Sequence, residues 1–221
     1  MSAALRVFLV DDQALVRAGL RMVIDSQADM TIAGEAGDGR EALERLAVTS
    51  ADVVLMDVRM PRLDGVEATR LLLARDGSLR IIVLTTFDLD EYVFPALRAG
   101  ASGFLLKDAQ PEELLAAIRA VASGDAVVAP TATRRLLEHV ADTLPGPRAE
   151  DERLSSLTDR EREVLLEVAR ARSNAEIAAT LHMAEATVKT HVGRLLTKLE
   201  LRDRVQLAVL AYEARLVRPG G

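Results

Sequence analysis

Five polar side chains stand at the ends of four apolar runs. Asp11 and Asp12 follow directly on Leu5–Val10, Asp57 closes the run over 53–56, Thr85 ends the run that begins at Arg80, and Lys107 follows the run over 103–106. Runs of Val, Ile and Leu without polar alternation are what a parallel strand covered on both faces requires. If these strands are parallel, all five groups meet at their carboxyl edge, where open α/β sheets bind ligands. Three carboxylates gathered there repel one another unless a cation lies among them. Oxygen donors with no His or Cys beside them suit Mg²⁺, which takes a few carboxylates, water and a phosphoryl oxygen. A lysine and a hydroxyl opposite the ion complete a cradle for a phosphoryl group.

The elements that position these groups follow from hydrophobic spacing. Leu15, Val16, Leu20, Val23 and Ile24 form the stripe of a buried helix face after the first run. The pattern then predicts a strand over 30–36, helices over 40–48, 66–75, 89–99 and 111–123, and strands over 80–85 and 103–106. This alternation predicts a doubly wound α/β domain with a parallel sheet of five strands. Pro95 falls within 91–99, so that helix is kinked, starts late, or carries its proline in the first turn.

Composition narrows the function classes. The 221 residues are 49% apolar and 28% charged, enough for a packed core. No apolar stretch approaches the ~20 residues of a membrane span, and no small-residue cleavage site follows the first run. A cytoplasmic protein without membrane contact is therefore expected. The absence of cysteine excludes disulfides, zinc–thiolate sites and thiol nucleophiles. Six aromatics, none of them Trp, argue against binding built on ring stacking. The net charge of −6 conceals an asymmetry: residues 1–130 carry 20 acids and 13 bases, whereas 168–221 carry 5 acids and 9 bases. Two parts with different partners are implied.

The rear part reads as short helices. A helix over 131–144 ends at Pro145-Gly146-Pro147, and 148–156 is polar. Thr158-Asp159-Arg160-Glu161 and Ser173-Asn174-Ala175-Glu176 are capping boxes that open two helices. A third carries Val188, Val192, Leu195, Leu196 and Leu199, and a fourth carries Val205, Leu207, Ala208, Leu210 and Ala211. Three- to four-residue turns and excess base point to a helix-turn-helix unit. With 188, 192, 195 and 199 inward, Lys189, Thr190, Gly193, Arg194 and Thr197 face outward, a surface suited to the major groove and its phosphate walls. His139, His182 and His191 are too dispersed for a metal site.

These motifs carry a resemblance. Val10-Asp11-Asp12, the segment from Met56-Asp57-Val58-Arg59 to Asp64-Gly65, Leu84-Thr85-Thr86 and Gly103-Phe104-Leu105-Leu106-Lys107 resemble the receiver domain of bacterial response regulators. The segments beginning at Leu157, Ser173 and Thr187 resemble the LuxR-type helix-turn-helix, and together the two resemble a NarL/FixJ-class regulator of a two-component system. The resemblance implies a flavodoxin-like α/β receiver over 1–124, a linker with a helix over 125–153, and a smaller all-α DNA-binding domain over 154–221. It also implies that a sensor histidine kinase phosphorylates Asp57. Asp12, Asp57 and the backbone carbonyl of Arg59 would bind Mg²⁺ directly, and Asp11 through water. Lys107 and Thr85 would hold the phosphoryl group, with Phe104 as an aromatic switch that turns inward. Promoter DNA would meet Thr187, Lys189, Thr190, His191, Gly193, Arg194 and Lys198, and phosphorylation would favour a homodimer through the fourth helix.

Three residues depart from the family pattern. Ala171 and Glu200 stand where glycine usually follows a helix, and Ala184 where serine usually caps one. Two other functions fit the residues: a Mg²⁺-dependent phosphohydrolase, and a DNA binder whose receiver works without phosphate.

Overall fold

The computed structural model describes residues 4–85, 90–123 and 152–217. The chain divides into two units, residues 1–127 and 128–221. In the first, β1 (Leu5–Val10), β2 (Met30–Ala36), β3 (Val53–Asp57), β4 (Arg80–Thr85) and β5 (Gly103–Leu106) alternate with α1 (Ala14–Asp25), α2 (Gly39–Arg45), α3 (Gly65–Arg75), α4 (Asp90–Arg98) and α5 (Pro111–Ala122). The strands form one sheet in the order β2-β1-β3-β4-β5, and every pairing is parallel.

The two-residue period of a strand sorts the core. Val7, Leu9, Val53, Leu55, Ile82 and Leu84 pack on one side with Ile24 of α1 and Leu114 and Ile118 of α5. All of β3 is buried, Asp57 included, which is why its sequence shows no polar alternation. Between Val7 and Phe8 the pairing with β2 slips by a residue. Gly34 lies opposite, where a Cβ would come within 2.6 Å of the Phe8 ring.

One helix differs from the sequence reading, and another settles a point that reading left open. The expected helix over 40–48 ends at Arg45 and relaxes into a turn at Leu46–Thr49 through bonds from Ala47 to Glu44 and Val48 to Arg45. The β-branched pair Val48-Thr49 is a poor helix continuation. Its start is fixed by Asp38, which accepts from the Arg40 and Glu41 amides at 2.8 and 3.0 Å. In α4, Pro95 lies inside the helix rather than in its first turn. There it removes one backbone hydrogen bond, at up to ~3 kcal/mol.

The second unit is helical: α6 (Glu152–Ser155), α7 (Asp159–Ala169), α8 (Asn174–Leu181), α9 (Glu185–Lys198) and α10 (Arg204–Glu213). Both capping boxes form, with Thr158 and Glu161 opening α7 and Ser173 and Glu176 opening α8. Val164, Leu165, Val168, Ile177, Val188, Leu195 and Leu199 are buried, as the stripes required. The expected helix over 131–144 and residues 125–151 of the expected linker lie outside the described residues.

The departures from the family pattern have backbone consequences. Ala171 and Glu200 hold left-handed φ values of 57° and 55° just past α7 and α9. The following amides close back onto Glu167 and Leu196 at 3.3 and 2.9 Å, an end motif that favours glycine. Ala184 caps α9 with no side-chain hydrogen bond. Ala171→Gly and Glu200→Gly are each expected to raise the stability of this unit by about 1 kcal/mol, because glycine escapes the Cβ clash of the left-handed region. Thermal unfolding measures this; a lower midpoint would mean that glycine's freedom in the unfolded chain outweighs the strain.

Candidate functional site

The strand ends converge as the apolar runs implied. Asp11, Asp12 and Asp57 each offer a carboxylate oxygen, and these atoms lie within 4.8 Å of one another. Asp11 is 1% exposed and Asp57 4%, whereas Asp12 is exposed. Asp11 is held from two sides: its Oδ1 accepts from the Gln13 amide at 2.8 Å, and Arg17 Nη1 of α1 donates to its backbone carbonyl at 2.7 Å. Lys107 Nζ reaches across from the end of β5 to Asp11 Oδ2 at 2.7 Å and Asp57 Oδ2 at 2.8 Å. Its own amide donates to the Thr85 carbonyl at 2.7 Å, which extends the β4–β5 pairing to the site. Thr85 is buried, 2% exposed, and Phe104 lies inward at 4%.

The electrostatics follow from this packing. Burial pushes the Asp57 carboxyl above its ordinary range, with the Asp11 charge adding to the rise and Lys107 opposing it. Burial would lower Lys107, but its hydrogen bonds to Asp11 and Asp57 and their charges prevail and raise it. Three carboxylates set against one ammonium leave an excess of negative charge that a divalent cation can balance. An all-oxygen, partly open donor set is the kind Mg²⁺ takes. The residues present therefore fit that ion.

The β3–α3 loop is shaped around Asp57. The Arg59 amide makes a long 3.4 Å bond to Asp57 Oδ1, and the Gly65 amide donates to the Val58 carbonyl at 2.9 Å. A Cβ on Gly65 would lie 2.0 Å from the Asp57 carbonyl oxygen, so only glycine fits there. Asp64 caps α3 through the Glu67 amide at 2.9 Å. Sequence reasoning gave Gly65 and Asp64 no role of their own; the Asp-Gly pair before an apolar-periodic stretch was the available signal.

In the second unit Thr187, Lys189, Thr190, Gly193 and Arg194 are exposed on α9, and His191 is half-buried. Thr190 Oγ1 bonds back to the Ala186 carbonyl at 2.9 Å. Lys198 differs from the others, since its Nζ pairs with Glu161 Oε2 at 2.9 Å. Glu161 also accepts from the Thr158 amide at 2.9 Å. The Lys198 hydrogen bond first, and the Thr158 amide next, hold this carboxyl at about 2. A folded-state value below the unfolded one contributes stability at pH above 4.5, which is lost as pH falls from there toward 2. With Lys198 one-third exposed, solvent trims the effect to about 1 kcal/mol. Lys198→Met is therefore expected to lower stability by that amount at pH 7 and by much less at pH 2, by urea melts at both.

Residues 7–119 match the response regulator receiver domain family, and residues 155–211 match the family of bacterial regulatory proteins of the luxR type. The chain belongs to the DNA-binding response regulators of two-component systems, with a receiver domain followed by a LuxR-type helix-turn-helix domain. It is 45% identical over 214 residues to the uncharacterized transcriptional regulatory protein YxjL of Bacillus subtilis, covering 97% of this chain and 98% of that one. It is 36% identical to the nitrate/nitrite response regulator protein NarL of Escherichia coli K12, over 95% of this chain and 96% of the relative. Among solved structures it resembles the response regulator ChrA of a heme-sensing two-component system, at 36% identity and a TM-score of 0.54, covering 98% of this chain and all 100% of that one. Both family matches set aside the phosphohydrolase alternative, since they describe a regulator rather than a classical enzyme. No helix among the described residues is long and apolar enough to cross a membrane.

Proposed function

We propose that Asp57 takes a phosphoryl group from a histidine kinase in the cytoplasm, and that this charge change controls dimerisation and promoter binding. A carboxylate oxygen of Asp57 attacks phosphorus, the bond from phosphorus to the imidazole nitrogen breaks, and the imidazole leaves. Asp12, Asp57 and the Arg59 carbonyl would hold Mg²⁺, with Asp11 acting through water. Bound there, the ion supplies charge neutralisation for the phosphoryl oxygens. Lys107 exchanges a carboxylate for a phosphoryl oxygen, and Thr85 turns its hydroxyl toward the same group. Phe104 already lies inward, so the Thr85 hydroxyl is the part left to move. The observation that supports this most is Lys107 Nζ within 2.8 Å of both Asp11 and Asp57.

The receiver would span 1–124 and the DNA-binding domain 154–221, joined by a linker over 125–153. On DNA, Lys189, Thr190 and Arg194 lead the contacts, flanked by Thr187, His191 and Gly193. Lys198 divides its charge with Glu161. The apolar residues of α10 are buried, Val205 and Leu207 to Tyr212 included, so a dimer through this helix would draw chiefly on its polar side chains. Beryllofluoride with Mg²⁺, which imitates a phosphoryl group on a carboxylate, is expected to convert monomer to dimer and to tighten binding to promoter DNA. Sedimentation and band-shift titration read both. An unchanged oligomeric state and unchanged DNA affinity would overturn the reading.

A further inference from the structure

Residue 59 faces two ways. Its amide reaches the Asp57 carboxylate at 3.4 Å, while its guanidinium carbon lies 5.4 Å from the centre of the Tyr92 ring. That distance is within the range of a cation–π contact. Tyr92 sits in the opening turn of α4, three residues before Pro95. Pro95 has no N–H to offer the Glu91 carbonyl, so the turn bearing Tyr92 is tied to the rest of α4 by one bond fewer than usual. A modest pull on the ring is therefore felt by that turn before it is felt by the whole helix.

We infer that Arg59 and Tyr92 are a positioning pair for the cation site. The Tyr92 ring holds the guanidinium, and through it the backbone from which the Arg59 carbonyl is offered to Mg²⁺. Because the two events share one residue, they are linked: the ring contact strengthens cation binding, and cation binding strengthens the ring contact by the same factor. The metal site is thus coupled to the first turn of α4 by a route separate from Thr85 and Phe104. This rests on the Mg²⁺ reading above.

The test is a calorimetric titration of the full chain with Mg²⁺. Tyr92→Leu is expected to weaken binding roughly three- to tenfold, while Tyr92→Phe, which keeps the ring, stays within about twofold of the unsubstituted chain. Arg59→Ala, which keeps the carbonyl, loses at least the same factor as Tyr92→Leu, and the double variant loses no more than Arg59→Ala alone. A second readout uses the chain's own fluorophores, which are two tyrosines and no tryptophan. Mg²⁺ is expected to change tyrosine emission, and the change disappears in Tyr92→Leu because Tyr212 lies in the other unit. Undiminished affinity in Tyr92→Leu, or losses that multiply in the double variant, overturns the pair while leaving the metal site intact. Absence of Mg²⁺ binding by the unsubstituted chain overturns the metal reading and the pair together.

Discussion

Asp57→Asn is expected to abolish labelling by radioactive acetyl phosphate while leaving the receiver folded. Acetyl phosphate needs no kinase: the carboxylate attacks phosphorus and acetate departs, so the assay isolates the acceptor. The amide has neither the charge nor the free oxygen pair to make the attack. It still fits the volume, and it removes one of two buried like charges, since Asp11 is 1% and Asp57 4% exposed. Stability should consequently hold or rise. Labelling that persists in this variant would assign the acceptor elsewhere, and Asp11 and Asp12 would be the next to replace.

The second large effect is expected from Lys107→Met. Lys107 is the counter-charge between Asp11 and Asp57, and methionine fills much of its volume without the ammonium. Removing one partner of a buried ionic cluster typically costs about 3 kcal/mol. The deficit depends on pH with a definite sign. Burial and Asp11 already raise the Asp57 carboxyl, and losing Lys107 raises it further. An acid whose folded value exceeds its unfolded value loses stability as pH rises through the folded value. The variant should therefore fall furthest behind at pH 8 and recover at pH 5. Mg²⁺ should also narrow the gap at pH 8, because an ion that binds only the folded site stabilises by mass action. Urea melts at the two pH values, with and without Mg²⁺, measure all three effects. A deficit indifferent to both would place the damage in packing.

The parts of this structure legible in the sequence are those written in contiguous residues. The apolar runs that stop at Asp11, Asp57, Thr85 and Lys107 identified the sheet edge, because a strand buried on both faces leaves only its end for polar chemistry. The capping boxes at Thr158 and Ser173 identified two helix starts to the residue, since three positions suffice to build one. Asp38 carries a similar sign, with Glu41 three residues on, and it caps α2, which begins at Gly39, one residue before the start expected at 40. What stayed hidden were pairings between distant residues. Lys198 and Glu161 are 37 positions apart, and nothing local distinguishes a lysine facing DNA from one returning to its own domain. The Arg59–Tyr92 contact likewise exists only once β3 and α4 are packed, whereas the 2.0 Å approach at Gly65 lies within the β3–α3 loop, where its Asp-Gly pair was the local sign. Glycine at 171 and 200 was expected by resemblance alone, and the left-handed φ there shows what those positions demand of any other side chain.

Asp11 and Asp12 are neighbours of one chemical type, yet Asp11 is 1% exposed while Asp12 faces solvent. On the Mg²⁺ reading proposed above, an entering ion would meet Asp12 first and could shed its hydration in stages rather than all at once. Its loading would then begin at the surface, before the buried carboxylate of Asp11 is engaged.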